Sequence, residues 1–212
     1  MEKLIRHHKP QNLSDHIALA FTKFLRFLAD TFFKKKYGHR AVVLETVAAV
    51  PGMVAGMLLH LKSLRKMQDD RGWIKILLDE AENERMHLMT FIQIAKPTFI
   101  ERIIIMMAQF IFILMYSIIY LSSQRTAHRI VGYFEEEAVI SYTEYLKEIE
   151  EGKIENIKAP EIAINYWNLP LNSKLKDVVE VIRDDEAGHR LSLIHISEPT
   201  RQEAISYAVV CV

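Results

Sequence analysis

Cysteine, glycine and proline are all scarce in this sequence of 212 residues. The one cysteine, Cys211, excludes a disulfide framework and a cysteine-ligated metal site, so any metal must be held by histidine and carboxylate side chains. Only 7 glycines and 6 prolines interrupt the chain, and apolar residues recur at helical spacing between them. Alternating patterns of β-branched residues are rare as well, so the sequence predicts an all-α fold.

The sequence also lacks an excess of either charge, since 27 lysines and arginines balance 27 aspartates and glutamates. A balanced chain has no overall field that attracts nucleic acid, so no nucleic-acid partner is expected. The first eight residues have neither the apolar stretch of a signal peptide nor the long arginine-rich and serine-rich run of a transit peptide. A targeting peptide is therefore not visible, and function must be read from local sites.

Apolar periodicity divides the chain into six long helices. Ser14 and Asp15 are typical N-cap residues for the first helix. Pro51-Gly52 is expected to kink the second helix rather than end it, because the apolar pattern resumes at Met53. The predicted helices cover about residues 16–33, 39–64, 74–95, 103–121 and 126–150, and a last helix includes residues 183–190.

Two of these helices have a composition that suits a membrane. Residues 103–121 contain no charged side chain and approach the ~20 apolar residues that cross a bilayer, so a transmembrane helix is the first interpretation. The first helix combines phenylalanines with a basic end, Lys34-Lys35-Lys36. It fits either an ordinary helix that faces the core or a helix that lies in a membrane interface.

Two Glu-x-x-His pairs carry the chemical signal. Residues three apart lie on one side of a helix, so Glu84 with His87, and Glu186 with His189, each direct a carboxylate and an imidazole to a common point. One such pair is most often a solvated surface pair. Two pairs, accompanied by two further helices that carry glutamate, predict a metal site.

The two further glutamates are Glu45 and Glu135. Glu45 lies among aliphatic residues, where an unpaired carboxylate would cost several kcal/mol or become protonated unless a metal ion is bound. The run of residues 135–137 points in directions about 100° apart, so at most one of the three faces the bundle centre. Glu135 is chosen because Tyr142, seven residues later, shares its face.

Glutamate, Glu-x-x-His, glutamate and Glu-x-x-His on four helices is the pattern of ferritin-like di-iron and di-manganese bundles. Oxygen and imidazole ligands favour iron or manganese, and zinc has no redox chemistry that would need a second ion. Tyr142 and Tyr166 are candidates to relay or supply oxidising equivalents. For Tyr166 a purely structural role is an equal alternative, since buried tyrosines also pack and donate hydrogen bonds.

The ferritin-like pattern changes the interpretation of residues 103–121. In that topology the second and third bundle helices are parallel and a crossover joins them along the bundle. If residues 103–121 crossed a bilayer, Glu84 and Glu135 would tend to lie on opposite sides. We therefore expect a ferritin-like four-helix bundle with two additional membrane-associated helices, which lie in one leaflet.

Four segments occur in the order and at the spacing of a known family. The sequence resembles the alternative oxidase family, close to its mitochondrial members, at Leu44-Glu45-Thr46, Asn83-Glu84-Arg85-Met86-His87-Leu88, Phe134-Glu135-Glu136-Glu137-Ala138 and Arg183-Asp184-Asp185-Glu186-Ala187-Gly188-His189-Arg190. The resemblance implies a cyanide-insensitive ubiquinol:oxygen oxidoreductase that reduces O2 to water without pumping protons. It also implies a homodimer on the matrix face of the mitochondrial inner membrane.

The resemblance further implies a set of site residues. Two iron ions would be held by Glu45, Glu84, His87, Glu135, Glu186 and His189, with Tyr142 beside them. Ubiquinol, the substrate, would be bound by Arg40, Leu44, Glu137, Ala138, Ser141 and Tyr142, where Ser141 replaces a usual threonine. Supporting contacts around the iron ligands would come from Asn83, Asp185, Tyr166 and Trp167.

The sequence departs from the family at both ends. Plant relatives use an N-terminal cysteine for redox control, and this chain has none in that region. After Arg190, the stretch Ile194-His195-Ile196-Ser197-Glu198-Pro199 and its continuation resemble translated sequencing-adapter sequence. We therefore divide the chain into an N-terminal arm (1–14), an oxidase domain (15–190) and a non-native tail (191–212), and expect the last helix to be truncated just past His189.

Three other functions remain open from the sequence. A plastoquinol oxidase or another di-iron protein would share the metal site. A ferritin-like iron store would not need the long uncharged segment. In a structural membrane bundle, the glutamates and histidines would pair with Arg40, Arg85 and Arg183.

Overall fold

The computed structural model describes residues 8–33 and 36–197. For residues 32 and 191–197 it describes the backbone only. The described residues form seven helices and no strand, so the all-α prediction is confirmed. The helices are α1 (Leu13–Phe33), α2 (Tyr37–Lys66), α3 (Trp73–Ala95), α4 (Phe99–Ser122), α5 (Gln124–Glu150), α6 (Glu161–Trp167) and α7 (Leu175–Ser197).

Four long helices, α2, α3, α5 and α7, form the bundle, in which α2 packs mainly on α3 and α5 on α7. Their largest apolar cluster includes Val42, Phe91, Leu146 and Ile182, all buried. Each helix brings a different glutamate-bearing segment to this core. The bundle therefore encloses the polar residues that the sequence singled out.

Helix α2 continues through Pro51, as the sequence predicted. A Cβ atom at Gly52 would lie 2.5 Å from the backbone oxygen of Leu77, so only glycine permits this approach of α2 to α3. This contact, near the middle of α2, holds the two helices close together about two turns away from Glu45.

Helix α4 lies along the side of the bundle and joins α3 to α5. Leu77 near the start of α3 and Val131 near the start of α5 pack in one cluster with Tyr116 of α4, so α3 and α5 run in the same direction. This is the parallel arrangement with a crossover that the ferritin-like pattern predicted. Within the described residues, α2 and α4 are long and apolar enough to cross a membrane, but α2 is largely buried in the bundle whereas α4 is largely exposed.

Helix α1 packs mainly on α5. Asp15 is fully buried and forms an ion pair with Arg129 of α5, with 3.0 Å between Oδ1 of Asp15 and Nε of Arg129. Such a pair stabilises the contact between two helices only while both partners are present, because either charge alone would be buried without compensation. It ties the start of α1 to the bundle.

The short helix α6 was not predicted from the sequence. It has seven residues, begins after Pro160 and ends at Asn168, whose positive φ of 52° stops the helix. A segment of two turns is too short to show a helical period among its apolar residues. The structure also continues α7 to Ser197, seven residues past Arg190.

Candidate metal centre and adjoining cavity

Six side chains from four helices converge in the middle of the bundle. Each can offer one ligand atom, and these atoms form two groups in which all members lie within 4.8 Å of one another. The first group contains Glu45, Glu84, His87 and Glu186, and the second contains Glu84, Glu135, Glu186 and His189. These are the six residues that the sequence analysis proposed as ligands.

Glu84 and Glu186 belong to both groups, whereas the other four residues belong to one each. A carboxylate has two oxygens and can therefore contact two cations at once. The two groups are therefore close enough to hold cations that share two carboxylates. Oxygen and imidazole donors suit divalent iron or manganese.

The electrostatics of the site require positive charge. All four glutamates are buried. Burial, together with repulsion from Glu84 and Glu186, raises the pKa of Glu45 well above its ordinary value. Burial and repulsion from Glu186 do the same to the pKa of Glu135. Four carboxylates in this space are therefore stable only if protons or cations compensate them.

The neighbouring carboxylates also raise the pKa values of the two histidines, because negative charge favours the protonated imidazole. Burial alone would lower the pKa of His87, but the neighbouring Glu84 raises it well above its ordinary value. Contact with Glu84, whose Oε1 lies 2.8 Å from Nδ1 of His189, likewise overcomes burial and raises the pKa of His189 to about 9. The protein thus stabilises any cation held among these carboxylates.

The ligand atoms themselves lack hydrogen bonds. Buried atoms without a hydrogen-bond partner include Oε2 of Glu45, both carboxylate oxygens of Glu84, Nδ1 of His87, Oε2 of Glu135 and Nδ1 of His189. Some of them lie within ion-pair distance of each other but not in hydrogen-bonding geometry. Buried polar atoms are nearly always satisfied in folded proteins, so a convergent set of unsatisfied atoms fits metal ions.

Arginines do not neutralise the cluster through the pairs that a structural bundle would require. Arg40 pairs with Asp30 at 2.5 Å, Arg85 with Glu82 at 2.7 Å and Arg183 with Asp184 at 3.0 Å. All three partners lie outside the six-residue cluster. The interpretation as a purely structural bundle therefore loses its main support.

Asp185 orients His87 from outside the cluster. One carboxylate oxygen, Oδ2, accepts hydrogen bonds from Nε1 of Trp167 at 2.8 Å and Nδ2 of Asn83 at 3.0 Å, and lies 3.3 Å from Nε2 of His87. With Nε2 directed at Asp185, Nδ1 of His87 faces the glutamates. Such an outer carboxylate fixes the ring orientation of a metal-binding histidine.

The two candidate tyrosines have different surroundings. The hydroxyl of Tyr142 donates a hydrogen bond to Glu45, and burial followed by the charge of Glu45 raises the pKa of Tyr142 well above its ordinary value. Tyr166 is 38% exposed, and its hydroxyl accepts a hydrogen bond from Asn83. Tyr142 therefore touches the cluster directly, whereas Tyr166 contacts only a residue around it.

A cavity of about 100 Å³ lies beside the cluster, between α1, α2 and α5. Its inner wall contains three members of the cluster, Glu45, Glu135 and Glu186, together with Tyr142. All six residues proposed for quinol binding line it, namely Arg40, Leu44, Glu137, Ala138, Ser141 and Tyr142. A small molecule in the cavity would thus lie next to the ligand atoms.

The polar groups of the cavity are concentrated in two networks. Arg40 donates hydrogen bonds to Asp30 and to Ser141, and its guanidinium lies 4.9 Å from the ring centre of Tyr37. Arg26, on α1, pairs with Glu137 and, at 3.3 Å, with Glu144. The remaining wall is mainly apolar, with Leu25, Ala29, Leu44, Val47, Ala48 and Phe134.

Sequence reasoning missed part of this site. Thr22, Arg26 and Asp30 all line the cavity, and their spacing of four residues is the signal that would have found them, because it forms one polar stripe on an apolar helix. Glu136 is also buried, on another side of α5 from the cluster, where it lies 3.2 Å from Nε of Arg190. Burial alone therefore does not distinguish Glu135 from Glu136.

The fold and the site define a helical bundle with a buried carboxylate–histidine group of the kind that holds metal ions. The sequence model of the alternative oxidase family matches residues 1–198. The chain is 60% identical over 185 residues to Alternative oxidase 3, mitochondrial, of Glycine max, covering 87% of this chain and 57% of that protein. It is 59% identical over 187 residues to Ubiquinol oxidase 2, mitochondrial, of Arabidopsis thaliana, covering 88% and 53%.

The chain belongs to the alternative oxidase family. A further relative, Ubiquinol oxidase 2, mitochondrial, of Nicotiana tabacum, is 58% identical over 187 residues, with 88% of this chain and 63% of that protein covered. The chain therefore spans between a half and two thirds of the length of these relatives. The family assignment made from four short motifs is confirmed.

Proposed function

We propose that the protein is a ubiquinol:oxygen oxidoreductase that reduces O2 to water, is insensitive to cyanide and pumps no protons. The observation that carries this proposal is the wall shared by the cavity and the carboxylate–histidine cluster. A quinol in the cavity would lie within reach of the cluster without crossing further protein. The names of the Arabidopsis and tobacco relatives, which are ubiquinol oxidases, support the same substrate.

Two iron ions would be held by the six cluster residues, of which Glu84 and Glu186 belong to both groups. The unsatisfied ligand atoms and the excess of buried carboxylates support this assignment. Iron bound there would supply the redox chemistry of electron transfer from the quinol to O2. Two quinols provide the four electrons and four protons that convert one O2 to two water molecules.

The surrounding residues bind the substrate and handle its protons. Arg40 and Ser141 would bind one quinol oxygen, because the guanidinium donates several hydrogen bonds and Asp30 keeps it in position. The apolar wall around Leu44 and Ala138 excludes water from the ring. Tyr142 holds a proton at its hydroxyl beside Glu45, between the cavity and the cluster.

Replacing Arg40 by alanine should raise the KM for ubiquinol about 10- to 100-fold, because a charged hydrogen bond contributes about 1.5–3 kcal/mol. The value of kcat should change much less, since the ligands of the cluster remain. Steady-state oxygen uptake at varied quinol concentration measures both constants. An oxidase with unchanged KM after this substitution would not bind quinol at Arg40.

Arg85→Ala is the matched control for Arg40→Ala. Arg85 also pairs with a carboxylate, but its side chain is 51% exposed and lies outside the cavity. Its removal should leave both kinetic constants within about twofold, because exposed ion pairs contribute roughly 0–1 kcal/mol. Equal effects at Arg40 and Arg85 would indicate a general change of charge rather than a binding site.

We also propose that α1 and α4 embed the protein in one leaflet of a membrane. Many apolar side chains of these two helices are exposed, among them Phe24, Phe27, Ile104, Met107, Phe110, Ile111, Leu114 and Ile118. Exposed apolar surface of this extent is typical of interaction with a membrane or a partner. An interfacial position also brings the cavity, which α1 lines, close to a lipid-soluble quinol.

Met107 and Ile111 lie one turn apart on the exposed face of α4. Replacing both by glutamate should weaken binding of the protein to lipid vesicles. We expect a loss of at least about tenfold in vesicle partitioning, because burying one such side chain contributes roughly 1.5–3 kcal/mol. Co-sedimentation with vesicles measures this effect. Leu171→Glu, at an 82% exposed leucine outside both helices, is the control, and equal losses from both changes would contradict the assignment to α4.

The protein would act as a homodimer on the matrix face of the mitochondrial inner membrane. Exposed apolar side chains on α2 and α3, such as Met57, Leu64 and Leu78, support a second contact surface on the bundle. The relatives are named mitochondrial, which supports the location. Mass measurement of the detergent-solubilised protein and fractionation of mitochondria would test these two points.

Two alternatives to this function are less well supported. An iron store needs no cavity beside its metal site and no exposed apolar helix. A plastoquinol oxidase would share the cavity, and a comparison of ubiquinol with plastoquinol turnover would distinguish it. The division of the chain into an arm (1–14), an oxidase domain (15–190) and a non-native tail (191–212) is also a proposal. Sequencing of the transcript's 3′ end would test whether the tail is non-native.

A further inference from the structure

Thr22 of α1 is a buried hydroxyl that the reaction described above does not use. It is 2% exposed and lines the cavity beside the cluster. Its Oγ1 atom has no hydrogen-bond partner in the described structure. A buried polar group without a partner is rare, and here the cavity is the space from which a partner would come.

Other threonines in the helices satisfy their hydroxyls locally. Thr31, Thr46 and Thr143 each donate a hydrogen bond of 2.7 Å to the backbone carbonyl four residues earlier. This bond is the usual solution for threonine inside a helix. Among the described threonines, Thr90 is also buried without a partner, but it does not line the cavity. Thr22 therefore stands apart in combining a free hydroxyl with access to a ligand space.

The position of Thr22 differs from that of the other polar groups. Thr22 and Asp30, the partner of Arg40, are eight residues apart on α1, which corresponds to about 12 Å along the helix. The contacts of α1 with α5 show a similar separation. The rings of Phe21, next to Thr22, and Phe134 lie 6.3 Å apart, and Ser141 follows Phe134 by about two turns of α5. Thr22 and Arg40 thus lie toward opposite ends of the cavity, with Arg26 and the apolar side chains of Leu25 and Ala29 between them on α1.

A para-quinol with a hydrogen bond at each oxygen has a length comparable to this separation along the backbone of α1. Its two oxygens lie on opposite edges of the ring, roughly 5–6 Å apart from ordinary bond lengths. A hydrogen bond of about 2.8 Å at each oxygen gives a total of about 11 Å between the two protein groups. A hydroxyl both donates and accepts, so threonine suits the reduced ring, which donates, and the oxidised ring, which accepts.

We propose that the hydroxyl of Thr22 binds the second ring oxygen of the quinol, opposite the oxygen bound by Arg40 and Ser141. This inference rests on the proposed function of the cavity and names a further substrate-binding residue in it. It makes Thr22 a determinant of specificity for ligands that carry two para oxygens. A ligand whose single ring oxygen is bound by Arg40 and Ser141 would form no hydrogen bond with Thr22.

The test compares Thr22→Val, which removes the hydroxyl at nearly constant shape, with Thr22→Ser, which keeps it. Thr31→Val on the same helix is the control, because that hydroxyl is exposed and bonded to its own helix. Dissociation constants are measured for a short-tailed para-benzoquinone, its quinol, and a phenol with the same tail and one oxygen. The KM and kcat of oxygen uptake with the quinol are measured alongside.

Thr22→Val should weaken binding of the quinone and the quinol about three- to tenfold, the effect of one hydrogen bond, and raise KM equally. Binding of the phenol, kcat, and all constants of Thr22→Ser and Thr31→Val should stay within about twofold. Unchanged quinone binding by Thr22→Val would overturn the proposal, and so would an equal loss for the phenol, which would indicate packing.

These outcomes separate the inference from the function on which it rests. If the parent protein binds the quinone but does not oxidise the quinol, the proposed oxidase activity fails while the dissociation constants still decide the role of Thr22. If the parent binds no quinone, both fail. Should Thr22→Val not accumulate as folded protein, Thr22→Ala removes the same hydroxyl and is judged by the same comparison of quinone with phenol.

Discussion

Replacement of Glu186 by alanine should lower quinol-dependent oxygen uptake by more than about 100-fold. Loss of a residue that only supports a metal ligand already costs about 10- to 100-fold in activity, and Glu186 is itself a proposed ligand. Glu186 belongs to both ligand groups, so its loss removes one contact from each proposed iron. Iron content should fall with activity. Oxygen uptake and iron per chain, measured on the same preparation, test both parts.

The helicity of this variant should be retained. Helix α7 stays anchored through Val178, Val179 and Ile182, which are fully buried, and the variant loses a carboxylate from a cluster of like charges. Asp184→Ala, at an exposed neighbour on the same helix, is the control and should leave activity unchanged. Full activity of Glu186→Ala with normal iron content would contradict the metal assignment.

Removal of the metal should lower the melting temperature near pH 7 by about 10 °C, because a ligand bound about 1,000-fold above its Kd adds about 4 kcal/mol, and about 1 kcal/mol shifts Tm by about 2–4 °C at this size. Without metal, the four buried carboxylates are compensated only by protons and by the two histidines. Thermal unfolding with and without a chelator measures the difference. Addition of Fe(II) should reverse it.

The metal-free protein should also become less stable as the pH rises from 6 to 9. The pKa values of Glu45 and Glu135 are raised in the folded state, so the folded protein holds protons that the unfolded chain releases. The pKa of His87 is raised as well, and that of His189 is raised to about 9, so their stabilising charge is lost as the pH increases. All four groups act in the same direction. A melting temperature independent of both metal and pH would contradict a charged, metal-binding cluster.

The convergence of the six cluster residues was predictable because their signals are local. A separation of three residues directs the members of each Glu-x-x-His pair to one side of a helix whatever the surrounding fold. Glu45 was predictable because its neighbours in sequence are aliphatic and a carboxylate there needs compensation. Long helices were equally predictable, since α2 and α4 show their apolar pattern over many turns.

The cavity was only partly predictable, because it depends on how α1 packs against α2 and α5. Nothing in the sequence near Arg26 indicates its pairing with Glu137, which is 111 residues away. The burial of Glu136 likewise depends on Arg190 of another helix. Contacts between distant segments are set by packing, whereas periodicity reports only which face of a helix is apolar.

Helix α6 shows the limit for short elements. Its seven residues carry Trp167, which donates to Asp185 and stacks on His87 with 5.8 Å between ring centres. The family resemblance included Trp167 and Tyr166 among the supporting residues, but no local pattern indicated the helix that carries them. The structure supplies the reason for their position, since Asn168 ends α6 directly after Trp167.

Iron content measured together with cyanide-resistant, ubiquinol-dependent oxygen uptake decides whether this chain is a di-iron quinol oxidase. We expect about two irons per chain, as in carboxylate-bridged bundles, and oxygen uptake that cyanide does not inhibit. Iron without quinol oxidation would instead indicate storage. A protein without iron and without uptake would contradict the proposed metal centre and the oxidase function together.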